Sequence, residues 1–110
     1  MRQYIYIAMP YTAYGASVQD VPRVTLENVR RAMRVADAIM AKGHVPILPH
    51  LSHFWHLETP RSYKEWIDYG MALLKLCDAV YYQPSPGADR ECEAAADKTI
   101  YIRLEEIPNA

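Results

Sequence analysis

The chain opens with an uncharged run, Tyr4-Ile5-Tyr6-Ile7-Ala8, rich in aromatic and β-branched residues. Such a run predicts a strand buried in a parallel sheet. Met9-Pro10-Tyr11-Thr12 ends it, and residues 13 to 22 read as a loop holding Gly15, Ser17, Asp20 and Pro22. A long loop directly after a first strand tends to carry function. From about Val24 to Lys42 the pattern changes to a helical period. Val29, Met33, Ala36 and Met40 mark the apolar stripe, with Arg30, Arg31, Arg34 and Asp37 between them. Gly43 suits the C-terminal cap. Val45 to Leu48 predicts a second strand, and its Pro46 places that strand at a sheet edge or at a strand start.

Pro49 to Arg61 reads as a second loop, PHLSHFWHLETPR. Ser62 and Glu65 have the spacing of a capping box, and the helix they open places Trp66, Gly70, Leu73 and Cys77 on one face. Asp78 to Tyr82 predicts a third strand, Ala88 to Lys98 a third helix and Thr99 to Arg103 a fourth strand. Strands alternating with helices in this order predict an α/β fold, with a parallel sheet covered on both faces. Residues 1–110 are read as one domain, long enough for a core without staples.

Composition narrows the classes of function. The net charge of −1 gives no electrostatic basis for binding a nucleic acid polymer or an anionic membrane. No run approaches the roughly 18 apolar residues of a membrane span. The apolar start is too short for a signal peptide before Pro10, and two cysteines without a CxxC motif fit a reducing compartment, so a cytoplasmic location is expected. Tyrosine occurs nine times and phenylalanine once. With Trp66 and Tyr69 near Tyr63 in the second helix, this predicts aromatic subunit contacts and a homodimer or homotetramer.

The chemistry concentrates between Cys77 and Tyr101. An apolar strand runs into Gln83-Pro84-Ser85-Pro86-Gly87, and an Ala- and Glu-rich helix follows. In an open α/β sheet, ligands bind outside the carboxyl ends of the strands, where this loop lies. Glu91 stands about one turn into the helix. From the residues alone it is either an ordinary solvated glutamate or a carboxylate facing that pocket. Glu93 points roughly 200° away. There is no GxGxxG fingerprint and no GxxxxGK[ST] pattern, so dinucleotides and triphosphates lose support. His50, His53 and His56 recur every third residue, but no Cys or acidic partner has ligand spacing. Substrate or subunit contact, with Trp55 as a stacking surface, or a structural role accounts for them better than zinc. No metal and no cofactor is expected.

Four segments carry a resemblance: YIAMPYT from Tyr6 to Thr12, ENVRRAMRVADAIMAKGHVPILPH at 27–50, EWIDYGMALLKLCDAVYY at 65–82 and SPGADRECEAA at 85–95. Together they resemble the nucleoside 2-deoxyribosyltransferase-like superfamily, in its small bacterial and phage branch. The most specific part is the S-x-G-x-x-x-E pattern of Ser85, Gly87 and Glu91. The resemblance implies a flavodoxin-like or Rossmann-like three-layer sandwich with a parallel sheet of four or five strands. It implies cleavage or transfer of the N-glycosidic bond of a nucleoside or a nucleoside 5′-monophosphate. Glu91 matches the nucleophile of that superfamily, Asp68 a base-contacting aspartate and Tyr11 a tyrosine bordering the nucleophile. Ser85 and Gly87 match the loop that holds the 5′ end of the sugar. Ala8, Pro10, His53 and Asp89 complete the expected substrate-binding set, Asp89 with a second reading as a group that bonds helix-start amides. Asp68 lies opposite the apolar face of its helix, so solvent exposure is its other reading. The alternative to an enzyme is a module of the same fold that binds a nucleotide or sugar phosphate without turning it over.

Overall fold

The computed structural model describes all 110 residues. Strand β1 (Tyr4–Ala8) is followed by helix α1 (Val21–Ala41), strand β2 (Val45–Ile47), a 3₁₀ turn (Pro49–Leu51), α2 (Ser52–Glu58), α3 (Tyr63–Lys75), β3 (Ala79–Tyr82), α4 (Pro86–Ala94), β4 (Thr99–Tyr101) and a second 3₁₀ turn (Leu104–Glu106). The four strands form one parallel sheet in the order β2-β1-β3-β4. This is a flavodoxin-like α/β arrangement of three layers, with four strands in the sheet. No helix is long and apolar enough to cross a membrane.

Alternation along the central strands builds two cores. Ile5, Ile7, Ala79 and Tyr81 face one side and pack with Ala32, Val35, Ala36 and Ile39 of α1. Tyr6, Ala8 and Val80 face the other and pack with Leu74 of α3, Cys77 just beyond it, Ala88 of α4 and Ala95 at its end. The period of two sends successive side chains to opposite faces, so a strand covered on both sides is apolar throughout. Pro46 sits on β2, an edge strand.

The structure corrects several boundaries. The buried stripe of α1 runs through Thr25, Asn28, Val29, Ala32, Val35, Ala36 and Ile39, whereas Met33 and Met40 are 41% and 62% exposed. Small residues at 32 and 36 let the helix lie close to the sheet, and the methionines fall outside that contact. The expected loop 49–61 contains α2. That helix has no side-chain N-cap and buries no residue, so it lacks the two signals that mark a helix in sequence. Helix α4 begins at Pro86 and ends at Ala94, four residues before Lys98.

The first expected cap is present in full: the Ser62 hydroxyl accepts from Glu65 N–H while Glu65 accepts from Ser62 N–H. At the opposite end of the sheet, buried His44 joins both termini. Its Nδ1 accepts from the Gln3 N–H at 3.0 Å, so its Nε2–H donates to the Pro108 carbonyl at 2.6 Å. Gly43 has φ +92°, the left-handed conformation that ends a helix without a Cβ penalty.

Candidate functional site

In the order β2-β1-β3-β4 the chain leaves β1 toward one edge and β3 toward the other. A crevice opens where the connections diverge, at the carboxyl ends of β1 and β3. The structure has a cavity of about 370 Å³ lined by groups from that end of the sheet, including Tyr6, Met9, Tyr11, Ser85, Gly87 and Glu91.

Glu91 stands in the second turn of α4. The strand β3, the Ser85 cap and Pro86 in the first turn place that helix. Ser85 Oγ accepts from the Ala88 N–H at 3.1 Å, which satisfies one of the free amides of the first turn. Asp89 Oδ1 accepts from the Tyr82 hydroxyl and from the Ser85 N–H. Asp89 therefore braces the loop from outside the cavity, and does not line it. The Tyr82 phenol beside this carboxylate is pushed up to about 12, first by the hydrogen bond to Asp89.

The Glu91 carboxylate accepts a hydrogen bond from the Tyr6 hydroxyl. Burial pushes the Glu91 carboxyl up to about 7, against the opposing pull of the Tyr6 hydrogen bond and the Arg90 charge. Burial, and then the Glu91 charge, push the Tyr6 phenol up, so it stays protonated and donates. Tyr6 has no exposed surface, yet its hydroxyl end reaches the cavity. Gly70 of α3 makes the room: a Cβ there would stand 3.1 Å from the Tyr6 oxygen.

Of the residues singled out from sequence, Glu91, Tyr11, Ser85 and Gly87 come together in the cavity wall, with His50 and His56 of the histidine series. Tyr11 borders the cavity, and its hydroxyl pairs with His53 Nδ1 at 2.8 Å. The hydroxyl that bonds to Glu91 is that of Tyr6, a residue outside the set expected from sequence. The remaining candidates lie outside the lining. Ala8 is a core residue whose carbonyl accepts from Gln83 N–H. Pro10 sits between the lining residues Met9 and Tyr11. His53 holds Tyr11. Asp68 is exposed and pairs with Lys64 at 2.6 Å, one turn away on the same helix, so the face of α3 opposite the core is a solvated one.

Two cationic wall residues have no signal in the sequence. Arg61 and Arg90, 29 positions apart, both line the cavity, and Arg90 donates to the Tyr63 hydroxyl at 2.5 Å. His56 Nδ1 accepts from Trp66 Nε1–H at 2.7 Å and from the Arg61 N–H at 3.2 Å. Those two donors leave the His56 proton on Nε2. His50 Nε2–H donates to the Met9 carbonyl at 3.0 Å. The three histidines thus turn to three different partners, and no group of three or more His, Cys, Asp or Glu is placed to hold a metal ion. A buried tyrosine needs a hydrogen-bond partner, and Tyr6 in a central strand is the sequence signal for a polar group behind the sheet.

A protein-family model described as a domain of unknown function, DUF7768, matches residues 3–105, and the chain belongs to that family. No curated protein shows significant similarity to it.

Proposed function

We propose that the protein cleaves or transfers the N-glycosidic bond of a nucleoside 5′-monophosphate or nucleoside, with the Glu91 carboxylate as nucleophile. The observation that carries this reading is a carboxylate in the wall of a crevice at the carboxyl ends of the strands, held by the Tyr6 hydroxyl and poised near pH 7. The resemblance of the Ser85, Gly87 and Glu91 pattern to the nucleoside 2-deoxyribosyltransferase-like superfamily points the same way.

N-glycosidic cleavage builds positive charge on the sugar. A carboxylate facing the anomeric carbon stabilises that charge and can bond to it as the carbon–nitrogen bond breaks, as in retaining glycosidases. Water or a second base then releases the sugar from Glu91. The leaving nitrogen needs a proton, and among the N–H and O–H groups of this wall we assign that role to His56 or Tyr11. Asp68 has no part in the scheme within one chain. Arg90 has no ion-pair partner, and Arg61, paired with Glu65 at 2.9 Å, also lines the wall; these guanidinium groups favour a substrate bearing a phosphate. We further propose self-association through the apolar surface of α2 and α3, where Phe54, Trp55 and Tyr69 are each more than 40% exposed.

The test incubates purified protein with nucleosides and their 5′-monophosphates and follows free base by chromatography. Base release from the monophosphates, abolished by Glu91→Gln, supports the reading. Tight binding without release by the wild type would replace it with the binding-module alternative.

A further inference from the structure

His50 is 4% exposed and forms part of the cavity wall. Its Nε2 faces the Met9 carbonyl at 3.0 Å. A carbonyl only accepts, so the proton of the neutral ring is on Nε2 and Nδ1 is left as a bare acceptor. That Nδ1 is buried and has no partner in the protein. Buried polar atoms are nearly always paired, because an unmade hydrogen bond there costs stability. His50 lines the cavity that holds Glu91, and a ligand there is the partner the protein does not itself supply to Nδ1.

We propose that His50 is a specificity-determining residue whose Nδ1 accepts a hydrogen bond from a donor on the substrate, either an exocyclic amine of the base or a sugar hydroxyl. The inference rests on the nucleotide reading above for the nature of the ligand. Three features pre-organise the acceptor. The 3₁₀ turn after β2 fixes the backbone at 50. The Met9 hydrogen bond fixes the tautomer and the ring plane. Burial lowers the imidazole pKa, outweighing the carbonyls of Met9 and Pro10 that favour the charged ring. A neutral, immobile acceptor rejects ligands that offer a lone pair at that point, since two acceptors then face each other without a proton.

Two variants separate the roles of the two ring nitrogens. In His50→Gln the amide nitrogen takes the place of Nε2 and keeps the Met9 bond, while the Nδ1 position loses its acceptor. In His50→Asn the amide oxygen takes the place of Nδ1 but nothing reaches Met9. Calorimetric titration uses the 5′-monophosphates of adenosine and cytidine, their 2′- and 3′-deoxy forms, and the analogues lacking the exocyclic amine. His50→Gln is expected to melt within about 2 °C of wild type and to bind the donor-bearing nucleotides at least ~10-fold more weakly. The gap between wild type and variant closes for whichever analogue lacks the recognised donor, which tells amine from hydroxyl. His50→Asn is expected to melt lower and to keep the wild-type order of ligand preference. If His50→Gln fails to fold, the ¹⁵N resonance of Nδ1 in wild-type protein reports the same event, moving when a nucleotide saturates the site. Unchanged affinities in His50→Gln, a loss equal for all analogues, or an Nδ1 resonance that ignores bound nucleotide would overturn the inference and leave the nucleotide reading standing. A wild-type protein that binds none of the panel overturns both.

Discussion

Gly70 and Tyr6 meet across the interface between α3 and β1: the position a Gly70 side chain would take lies 3.1 Å from the Tyr6 hydroxyl. The glycine is there for space, since its own backbone is ordinary helix. The hydroxyl it admits is the one that donates to Glu91. Gly70, Tyr6 and Glu91 thus form one chain of contacts from helix to strand to helix.

Tyr6→Phe removes the hydrogen bond that favours the charged form of Glu91. Its pKa then rises above about 7, by on the order of one unit. The ionised fraction at neutral pH falls about fivefold with it. The acidic limb of the pH–rate profile for base release, which Glu91 sets, is expected to move to higher pH. A profile that stayed in place would show that the hydroxyl does not set the charge state of Glu91.

Gly70→Ala in wild type gains helix propensity of about 1 kcal/mol and loses it again by crowding the Tyr6 oxygen at 3.1 Å. Little change in melting temperature is expected, with a pH profile displaced in the same direction as in Tyr6→Phe. In the Tyr6→Phe background the oxygen is gone, and Gly70→Ala is expected to stabilise by about 1 kcal/mol. Thermal melts of the four proteins complete the cycle. Equal effects of Gly70→Ala in both backgrounds would mean the two residues are not coupled.

Glu91→Gln keeps the size of the side chain and its place beside Tyr6 but removes the charge. Turnover is expected to drop at least ~100-fold, equivalent to about 2.7 kcal/mol of barrier, with nucleotide affinity retained. Glu93 is exposed, and Glu93→Gln serves as the silent control. Full activity in Glu91→Gln removes the proposed nucleophile.

The same substitution has a signature in stability. The folded-state pKa of Glu91, about 7, lies above the ordinary carboxyl value of 4.5. Between those values the folded protein binds the proton and the unfolded chain has released it. Stability from this group therefore falls as pH rises from about 4.5 to about 7 and stays low above that range. The full penalty is on the order of 1–3 kcal/mol. Glu91→Gln, which never ionises, is expected to melt close to wild type near pH 4.5 and several degrees above it at pH 8. A melting difference independent of pH would show that Glu91 is not buried against its charge.

Light scattering tests the proposed self-association. A dimer or tetramer of the 12.6 kDa chain is expected at micromolar concentration, shifting toward monomer in Trp55→Glu. A wild-type protein that scattered as a monomer would return α2 and α3 to the solvent.

Local pattern carried much of the architecture. Charge-free runs with period-two packing, Ser62 with Glu65 at a helix start and Pro46 on an edge strand all act through neighbours a few residues away, so they can be read along the chain. The order of elements then limits the sheet to parallel pairing and places the loop after β3 at a binding edge. Glu91 could be singled out on that basis because its position depends on one helix and one cap. Helix α2 could not, since it neither caps nor buries a stripe. The contacts that define the cavity are equally silent. Tyr6 and Glu91 are 85 positions apart, Arg61 reaches the wall from the α2–α3 connection and Arg90 from α4, and Asp68 turns away to Lys64. Which side chains converge there is decided by how closely α3 and α4 pack on β1 and β3. Distances of that kind are set by volumes such as the missing side chain of Gly70 and have no counterpart in the spacing of residues along the chain.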